Sequence, residues 1–567
     1  MKALKAATLT GIAVVVVLSG CTAPGGSGAT RGAGDSVAPA APKRINAAIM
    51  SSPPSISRDN LIAGSGTYQG GDVLEELLTG GLTQRDSVSQ LRPELAEAVP
   101  SVDNGLWKVF PDGRMETTWT IRPNARWHDG APVTSDDFLF TAKLAQDREL
   151  PVFSGREYRL VESFEAPDPR TLVIKWKQTY IKADESFTAV RPKHILEPLF
   201  QADKQSMLQH PYWSTGYVGA GAFKLREFVM DSHLILQAND HYVLGRPKVD
   251  EIRVRFIPDD NTLMAHILAG EVDLTLGRNI SMGQAVQLRD RWTEGTIEVG
   301  FENWIALWPQ LLNPGSATLL DVRFRRAILH ATDRDALVET IQHGMTYVAH
   351  SLVHPSDPPY RDIESSIIRY DYDQRRAASL IESMGYTRGT DGMFRDGSGE
   401  LLPLDVRTSG GDDAHEAGVF TIAENLKRVG VAAELYIIPN AQRDDRAFMA
   451  TFPGVRLIRQ SNSLYDLDRF HSREALLPEN RFSGSNRSRY MNAEYDAMID
   501  SYMVTVPVPE RTAQLARIVR HMTDQLNALG LWFNTEPMVV GKRLRNVQNK
   551  KTTGGYTAWN ATEWDVQ

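Results

Sequence analysis

Cys21 is the only cysteine in this chain of 567 residues, and this limits how the chain can be held together. No disulfide can form within it, so the fold has to be stabilised by buried apolar surface. A hydrophobic content of 42% and a charged content of 23% are those of a globular protein. The length predicts several lobes rather than a single core.

The residues before Cys21 have the order of a signal peptide. Two lysines precede an apolar run over about residues 6–18, which is shorter than the roughly 20 residues of a membrane-spanning helix. The segment Leu18-Ser19-Gly20-Cys21 resembles the bacterial lipobox, whose cysteine receives a diacylglyceryl group. We therefore expect a signal peptide at 1–20 and a lipidated Cys21 that leaves no thiol for catalysis. Ordinary secretion and a permanent membrane span are the alternatives.

The charge of the chain argues against a nucleic-acid partner. The formal net charge is −8, and it becomes −10 if Lys2 and Lys5 leave with the signal peptide. Lysine and arginine are scattered apart from short pairs such as Arg325-Arg326. A phosphate backbone would therefore be repelled.

Behind Cys21 the composition predicts a flexible tether and then a compact body. The segment 21–44 is dominated by Gly, Ala, Pro, Ser and Thr, with almost nothing large to bury. Strand-like runs are interleaved with helical ones, which predicts an α/β chain with mixed sheets. The strand candidates are 116–122, 171–176, 233–238, 252–257, 402–408 and 431–438, and the helix candidates are 135–146, 262–270, 321–330, 334–342 and 417–429.

The strongest sequence signatures of catalysis are missing. We find no G-x-S-x-G, no G-x-x-x-x-G-K-[ST], no H-E-x-x-H and no strand-linked G-x-G-x-x-G. Three histidines at 343–354 have spacings that match no short ligand motif, so no metal site and no cofactor are expected. A binding protein is therefore favoured over an enzyme and no catalytic residue is assigned, although a triad could be assembled from distant residues.

Aromatic side chains supply candidates for a ligand cleft. The chain has eleven tryptophans, and most of them must lie in the core. Trp213 stands in turn-rich sequence, whereas Trp304 and Trp308 stand in a segment that mixes apolar and polar residues. Aromatic residues in such segments are candidates for the wall of a cleft.

Five blocks of sequence, spread from about residue 70 to 435, are similar to the blocks of one known family. The string WHDGAPVT at 127–134 is the most specific, and Ala220 and Ala222 stand where that family usually has Thr and Pro. The other blocks are LRPELA at 91–96, the segment 219–273, DVRFRRA at 321–327 and ENLKRVGVAAEL at 424–435. In this order they resemble the extracytoplasmic solute-binding proteins of family 5, the oligopeptide and dipeptide receptors of ABC importers.

The resemblance implies an α/β fold: a two-lobed, periplasmic-binding-protein-like clamshell of type II, with mixed sheets and an extra inserted domain. Lobe I is expected from 45–90, 213–305 and 533–567, the inserted domain from 91–212, and lobe II from 306–532. Hinge closure would enclose a ligand between the lobes and make the closed receptor recognisable to the permease subunits of an ABC transporter. The receptor is expected to be a monomer.

The resemblance also implies where a peptide would be held. In the peptide-binding members an acidic residue pairs with the α-amino group of the ligand, but Asn462 or Ser463 falls near that place here, with Asp466 and Asp468 a few residues late. A neutral side chain cannot make that charge-assisted bond. Blocked or modified peptides therefore stay open as ligands. The expected ligand-binding residues are Tyr68, Trp213, Trp304, Trp308, Arg459, Gln460, Asn462 and Ser463.

The leading hypothesis is a lipid-anchored, extracytoplasmic receptor that delivers a peptide or peptide-like solute to an ABC permease. A receptor for an oligosaccharide or a nickel-type solute on the same fold is the first alternative. An extracellular hydrolase and a structural or adhesive surface lipoprotein are the others. The side chains that face the gap between the lobes would separate these four hypotheses.

The lone cysteine gives a direct test of the anchor. A Cys21→Ser variant cannot take the diacylglyceryl group, so we expect the protein to be released into the medium or periplasm and solute uptake to fall, with solute affinity unchanged. Cell fractionation, uptake assays and calorimetry on the purified protein measure these three quantities. A parallel loss of affinity would show that the anchor does more than hold the receptor near the membrane.

Overall fold

The computed structural model describes residues 41–57, 70–153, 156–277, 279–443 and 445–567. Within it, Pro42–Gln567 forms one compact unit. The expected signal peptide, Cys21, nearly all of the expected tether and Tyr68 lie outside the described residues. Among the helices of the described ranges, none is long and apolar enough to cross a membrane.

Strands and helices alternate along the chain. The strands of the described residues are β1 (Arg44–Ile49), β2 (Thr83–Arg85), β3 (Leu91–Pro93), β4 (Trp107–Val109), β5 (Met115–Thr120), β6 (Val161–Asp168), β7 (Thr171–Trp176), β8 (Phe223–Val229), β9 (His233–Ala238), β10 (Glu251–Phe256), β11 (Leu274–Thr275), β12 (Gly295–Pro309), β13 (Thr387–Arg388), β14 (Phe394–Arg395), β15 (Pro403–Ser409), β16 (Ala432–Ile438), β17 (Val455–Gln460), β18 (Leu529–Gly541), β19 (Leu544–Arg545) and β20 (Asp565–Val566). The α-helices are α1 (Gly71–Leu78), α2 (Ser135–Gln146), α3 (Arg156–Leu160), α4 (Lys193–Ala202), α5 (Lys204–Leu208), α6 (Asp260–Leu268), α7 (Met282–Arg291), α8 (Val322–Ala331), α9 (Arg334–Gln342), α10 (Tyr360–Ile363), α11 (Gln374–Glu382), α12 (Asp413–Val429), α13 (Arg446–Ala450), α14 (Ala493–Val504) and α15 (Val508–Gln525).

Local patterning predicted many of these elements. The expected bounds of β7, β9, α2 and α9 are those of the structure, and the other candidates shift by one to four residues at one or both ends. Gly430 ends α12 in the left-handed region, with φ 106°, as a glycine after a helix favours. The N-cap of α2 is Thr134, which is still extended and whose N–H donates to the Asp137 carboxylate at 2.9 Å.

A ten-stranded mixed sheet runs through both lobes, in the order β16-β15-β17-β12-β18-β11-β1-β10-β9-β8. We call lobe I the part built on β1 and β8–β11, and lobe II the part built on β15–β17. Parallel pairs join β1 to β10 and β15 to β16, whereas β12 and β18 are antiparallel. A separate antiparallel sheet, in the order β4-β5-β7-β6, lies within residues 91–212, and we call the part built on it the inserted domain.

Two long neighbouring strands, β12 and β18, belong to both lobes. They are 15 and 13 residues long. Their pairing runs from Gly295 and Gly541 in lobe I to Leu307 and Leu529 in lobe II, and it is interrupted at Glu302, near the crossing, and again at Leu531. The expected lobe boundaries at 305/306 and 532/533 fall inside these strands. The two-lobed clamshell is therefore joined through one pair of strands with an irregularity near the crossing.

Alternation along the strands divides the apolar side chains between the two faces of the sheet. In lobe II, Ile305 and Leu307 belong to one buried cluster, and Trp304, Ala306 and Trp308 belong to another. In lobe I the largest cluster continues from β1 and β10 into the inserted domain. The inserted domain is thus packed on lobe I as part of the same core.

Lys550 connects the two crossing strands at this irregularity. Its buried ammonium lies 2.9 Å from the carboxylate of Glu536 on β18 and 3.6 Å from that of Glu302 on β12. Burial alone would lower the pKa of Lys550, but the surrounding carboxylates, Glu536 foremost, raise it, so the ammonium stays charged. Burial raises the pKa of Glu536, and Lys550 opposes that shift.

Removal of this ammonium should destabilise the fold. A Lys550→Met variant leaves Glu536 buried without a cation, a change that costs about 3–5 kcal/mol in comparable buried pairs. We expect a clear fall in the urea midpoint and partial recovery when Glu536→Gln is added. The neighbouring exposed Lys551 supplies a matched control, because Lys551→Met should change stability by no more than about 0.5 kcal/mol. Equal losses of stability in Lys550→Met and Lys551→Met would contradict the assignment of Lys550 as the cation that neutralises buried Glu536.

Candidate functional site

A cavity of about 900 Å³ lies where lobe I, the inserted domain and lobe II meet. Lobe I contributes the β2–β3 loop, the start of α1 and a segment near the C-terminus, and lobe II contributes two loops and the first turns of α15. Its lining residues are Asp72, Glu76, Arg85, 88–91, Lys182, Asp184, Glu185, Glu302, 357–359, Asp362, 462–466, Tyr502, Val508, Arg511, Thr512, Leu515, Lys550 and 553–556. The cavity thus adjoins the crossing of β12 and β18.

Several contacts cross the cleft around this cavity. Lys182 of the inserted domain lies 2.7 Å from the carboxylate of Asp466 in lobe II. The hydroxyl of Thr553 donates to the Asn462 side chain. The lobes therefore meet around the cavity, as in the closed arrangement of a clamshell.

Arg85 forms one wall of the cavity and is rigidly held. Its Nε and one terminal nitrogen donate to the two carboxylate oxygens of Glu185 at 2.5 and 2.6 Å, and the other terminal nitrogen donates to the Ser89 carbonyl at 2.7 Å. Burial alone would lower the pKa of Arg85, but Glu185 raises it. The flat guanidinium lies 4.6 Å from the ring centre of Tyr465, so a cation–π contact also links lobe I to lobe II.

Two carboxyl groups in the wall are shifted toward their neutral forms. Burial, reinforced by the charge of Glu185, raises the pKa of Asp184 to about 7. Burial likewise raises the pKa of Asp357 to about 7, although the N–H of His354 donates to it at 2.8 Å. Asp466 behaves differently: burial alone would raise its pKa, but the charge and hydrogen bond of Lys182, together with the charge of Arg469, outweigh burial and lower it.

Comparison with protein families places the chain. Residues 90–467, more than half of the sequence, match the family of bacterial extracellular solute-binding proteins, family 5 Middle. The chain belongs to this family. Family 5 proteins bind solutes, and the two-lobed fold expected from the sequence is that of this family.

Relatives and solved structures agree with this placement. The oligopeptide-binding protein AppA of Bacillus subtilis is 24% identical over 447 residues, which cover 75% of each chain. A candidate ABC transporter peptide-binding protein of Brucella ovis is 27% identical over 318 residues, so the match spans 55% of this chain and only 57% of that relative. The oligopeptide-binding protein of Thermus thermophilus, solved with a pentapeptide, shares the fold with a TM-score of 0.69 and 23% identity, over 92% of this chain and 96% of the other.

Two of the expected ligand-binding residues of this family 5 protein line the cavity. Ser463 is partly exposed in its wall. Asn462 is buried; its amide donates to the Leu352 carbonyl at 2.9 Å and its oxygen accepts from Thr553. Asn462 is therefore engaged in joining the lobes.

The three tryptophans do not fit the expected role of apolar cleft walls, which is a correction. Trp213 is 3% exposed, its indole N–H donates to the Met207 carbonyl at 2.7 Å, and it packs in the lobe I core. Trp304 and Trp308 are each 1% exposed on the same face of β12, inside the lobe II core. The segment mixes apolar and polar residues for two reasons. Alternate side chains of β12 point to opposite faces of the sheet, both of which are packed, and β12 continues beyond the lobe II core to the place where it crosses between the lobes.

Arg459 and Gln460 also lie outside the lining of the cavity. One terminal nitrogen of Arg459 donates to the Asp412 carboxylate at 2.9 Å. Gln460 is buried, and its amide donates to the Ser485 carbonyl at 3.1 Å. Both side chains of β17 are thus held within lobe II.

Sequence reasoning missed the residues that dominate the wall of this family 5 protein. Arg85, Lys182, Tyr465 and Tyr556 come from four separate segments. The only local signal is turn chemistry after β2, where the Asp86 carboxylate accepts from main-chain N–H groups. Within the described part of the chain, no group of three or more His, Cys, Asp or Glu side chains could hold a metal ion.

The raised pKa of Asp184 predicts a pH-dependent stability. Its ordinary value is 3.8, so the folded protein binds this proton more tightly than the unfolded chain does. The stabilising contribution is complete below pH 3.8 and is lost as pH rises through about 7. We expect Asp184→Asn, which cannot ionise, to stabilise the protein at about pH 8 by about 1–2 kcal/mol and to have less effect at about pH 5.

Thermal unfolding of the Asp184→Asn variant and of the unchanged protein at both of these pH values measures this difference in stability. The matched control is Asp103→Asn, which changes an exposed aspartate of the inserted domain outside the cavity lining. The Asp103→Asn control should unfold at the same temperature as the unchanged protein at each pH. A larger gain in the stability of Asp184→Asn at the lower pH than at the higher pH would contradict the raised pKa of Asp184.

Proposed function

We propose that this protein is the solute-binding lipoprotein of an ABC importer and captures a peptide or peptide-like solute between its two lobes. The observation that carries the proposal is the cavity of about 900 Å³ at the meeting of the lobes in a family 5 protein. Its volume lies in the range of cavities that enclose small ligands. The peptide is supported by the relative AppA, named for oligopeptide binding.

The composition of the cavity wall suits a peptide. The lining includes the loop 88–91 and Gly554-Gly555, and the two glycines carry no side chain. Tyr502 and Tyr556 offer flat apolar surfaces with a polar edge. A ligand with amide groups and small side chains can use both kinds of surface.

A free α-amino group is not the expected anchor of this solute. Ser463 is neutral, and Asn462 holds the lobes together. Asp466 reaches the wall, but its carboxylate lies 2.7 Å from Lys182 and 3.2 Å from Arg469. Peptides with a blocked or modified N-terminus therefore remain suitable ligands.

The lining also ranks the alternatives on the same fold. Among the described lining residues there is neither a tryptophan, which a sugar receptor would use for stacking, nor a histidine, which a nickel-type receptor would use as a ligand. Both features favour a peptide-like solute. The family, described as solute-binding proteins, supports a role in binding without catalysis.

The cellular arrangement is part of the proposal. A diacylglyceryl group on Cys21 would hold a monomeric receptor at the outer side of the cell membrane, and the Gly- and Pro-rich segment 21–44 would give it reach. Tethering raises the effective concentration of the receptor at its permease. The closed, loaded form would be the one that the permease recognises.

Ligand retained on purification tests this function. Native mass spectrometry should detect a bound peptide-like molecule, and peptide pools of two to six residues should raise the Tm of the emptied protein. Ligand at 100 times its Kd stabilises a protein by about 2.7 kcal/mol, which is measurable by calorimetry.

A space-filling variant locates the binding to the cavity. Ser463→Trp places a large ring in the wall and should abolish the shift in Tm. Leu268→Trp is the control, because Leu268 is exposed on α6 outside the cavity lining. A peptide shift that survives Ser463→Trp, or no response to any pool, would refute the proposed function.

A further inference from the structure

The wall of the interlobe cavity carries more acidic than basic side chains. Among the described residues that line it, eight are aspartate or glutamate and four are lysine or arginine. Lobe I with the inserted domain contributes five of the acidic and three of the basic groups, and lobe II contributes three acidic groups and one basic group. Each side of the cleft therefore has two more acidic than basic groups.

The basic groups in the wall are already engaged by the protein. Three of them form the ion pairs described above, namely Arg85, Lys182 and Lys550. The fourth, Arg511, donates to the Val506 carbonyl at 3.3 Å. The three ion-paired groups hold the walls in place and are not left over to attract an anionic solute, whereas the charge of Arg511 acts on Asp184, where burial outweighs its effect on the pKa.

Several carboxylates, by contrast, have no ion-pair partner. Within the described part of the chain, no basic nitrogen lies within 4.0 Å of the carboxylates of Asp72, Asp184, Asp357 or Asp362. Asp184 belongs to the inserted domain, and Asp357 and Asp362 belong to lobe II on the other side of the cleft. The Oδ1 atom of Asp184 is buried with no hydrogen-bond partner among the described residues.

In the empty cleft, burial keeps Asp184 and Asp357 close to their neutral forms. A positive charge enclosed between the two sides favours their ionised forms and so attracts both sides. The rings of Tyr502 and Tyr556 in the same wall can also pack against a cation.

We propose that the enclosed solute is cationic: a peptide or peptide-like molecule with a guanidinium or ammonium group between Asp184 on one side and Asp357 and Asp362 on the other. This specificity rests on the proposed function, since it names the charge of the solute that the receptor takes. Burial holds the pKa of Asp184 and of Asp357 at about 7. A cation beside them lowers both and keeps the groups ionised.

Three pentapeptides that differ only in their middle residue test the charge of the solute. The series is Ala-Ala-X-Ala-Ala with arginine, glutamine or glutamate as X, measured by calorimetry on the full mature chain at about 20 mM and about 300 mM NaCl. We expect the arginine peptide to bind at least about tenfold more tightly than the glutamine peptide at low salt, with the glutamate peptide weakest. The advantage should shrink at high salt because the ions screen the charges.

A double variant assigns the preference to the lobe II carboxylates. Asp357→Asn with Asp362→Asn keeps the shape of both side chains and should bring the ratio of arginine-peptide to glutamine-peptide affinity toward one. The control, Asp103→Asn with Glu382→Gln, removes the same number of charges from exposed residues outside the cavity lining and should keep the ratio. The salt dependence of the unchanged protein tests the preference even where the double variant folds poorly.

The outcomes separate this proposal from the proposed function. Equal binding of the three peptides would overturn the charge preference and leave a peptide receptor. Spermidine, a cation without peptide groups, is measured in the same way. If it binds and no peptide does, the peptide assignment is overturned and a cationic solute is supported. If neither spermidine nor any peptide binds, both the charge preference and the proposed function are overturned.

Discussion

The antiparallel pairing of β12 with β18 is the constraint on which the rest of the structure depends. Both lobes share these strands, whose pairing is interrupted between Ile305 and Ala306 and also at Glu302. Lys550 bridges carboxylates of both strands at that point, and a buried charge without its partner is costly. Asp72, Glu302 and Lys550 also belong to the cavity wall. The crossing of β12 and β18 and the wall of the cavity therefore share these residues.

This arrangement couples closure to the contents of the cavity. Among the described residues, the contacts across the cleft include the Lys182–Asp466 pair, the stacking of Arg85 on Tyr465 and the bond from Thr553 to Asn462. Apolar contacts cross it as well, since Ile181 of the inserted domain packs in the lobe II cluster and Val506 of lobe II packs in the lobe I cluster. Partly exposed ion pairs contribute little stability, about 0–1 kcal/mol each. Under the proposed function, the balance between open and closed forms would be set by the solute that the cavity encloses.

The fold could be predicted further from the sequence than the site could. Alternation and capping residues mark β7, β9, α2 and α9 because these signals act over a few neighbouring residues. The cavity wall is assembled from segments hundreds of residues apart, such as Arg85 and Tyr465, and no local pattern brings them together. Trp304 and Trp308 show the same limit: their two-residue alternation places them on one face of β12, but only the lobe II core shows that this face is buried.

The loop after β17 shows how a shared fold can change what it recognises. The sequence indicated that Asn462 replaces an acidic group, and the structure gives this side chain a different task, because it joins Leu352 to Thr553 across the lobes. Asp466 lies close enough to serve instead, yet Lys182 and Arg469 lower its pKa and occupy its oxygens. An ammonium at this wall would have to displace Lys182 and so break a contact that accompanies closure. Positive charge is therefore better accommodated at Asp184, whose Oδ1 atom is buried with no hydrogen-bond partner among the described residues and which has no basic nitrogen within 4.0 Å there.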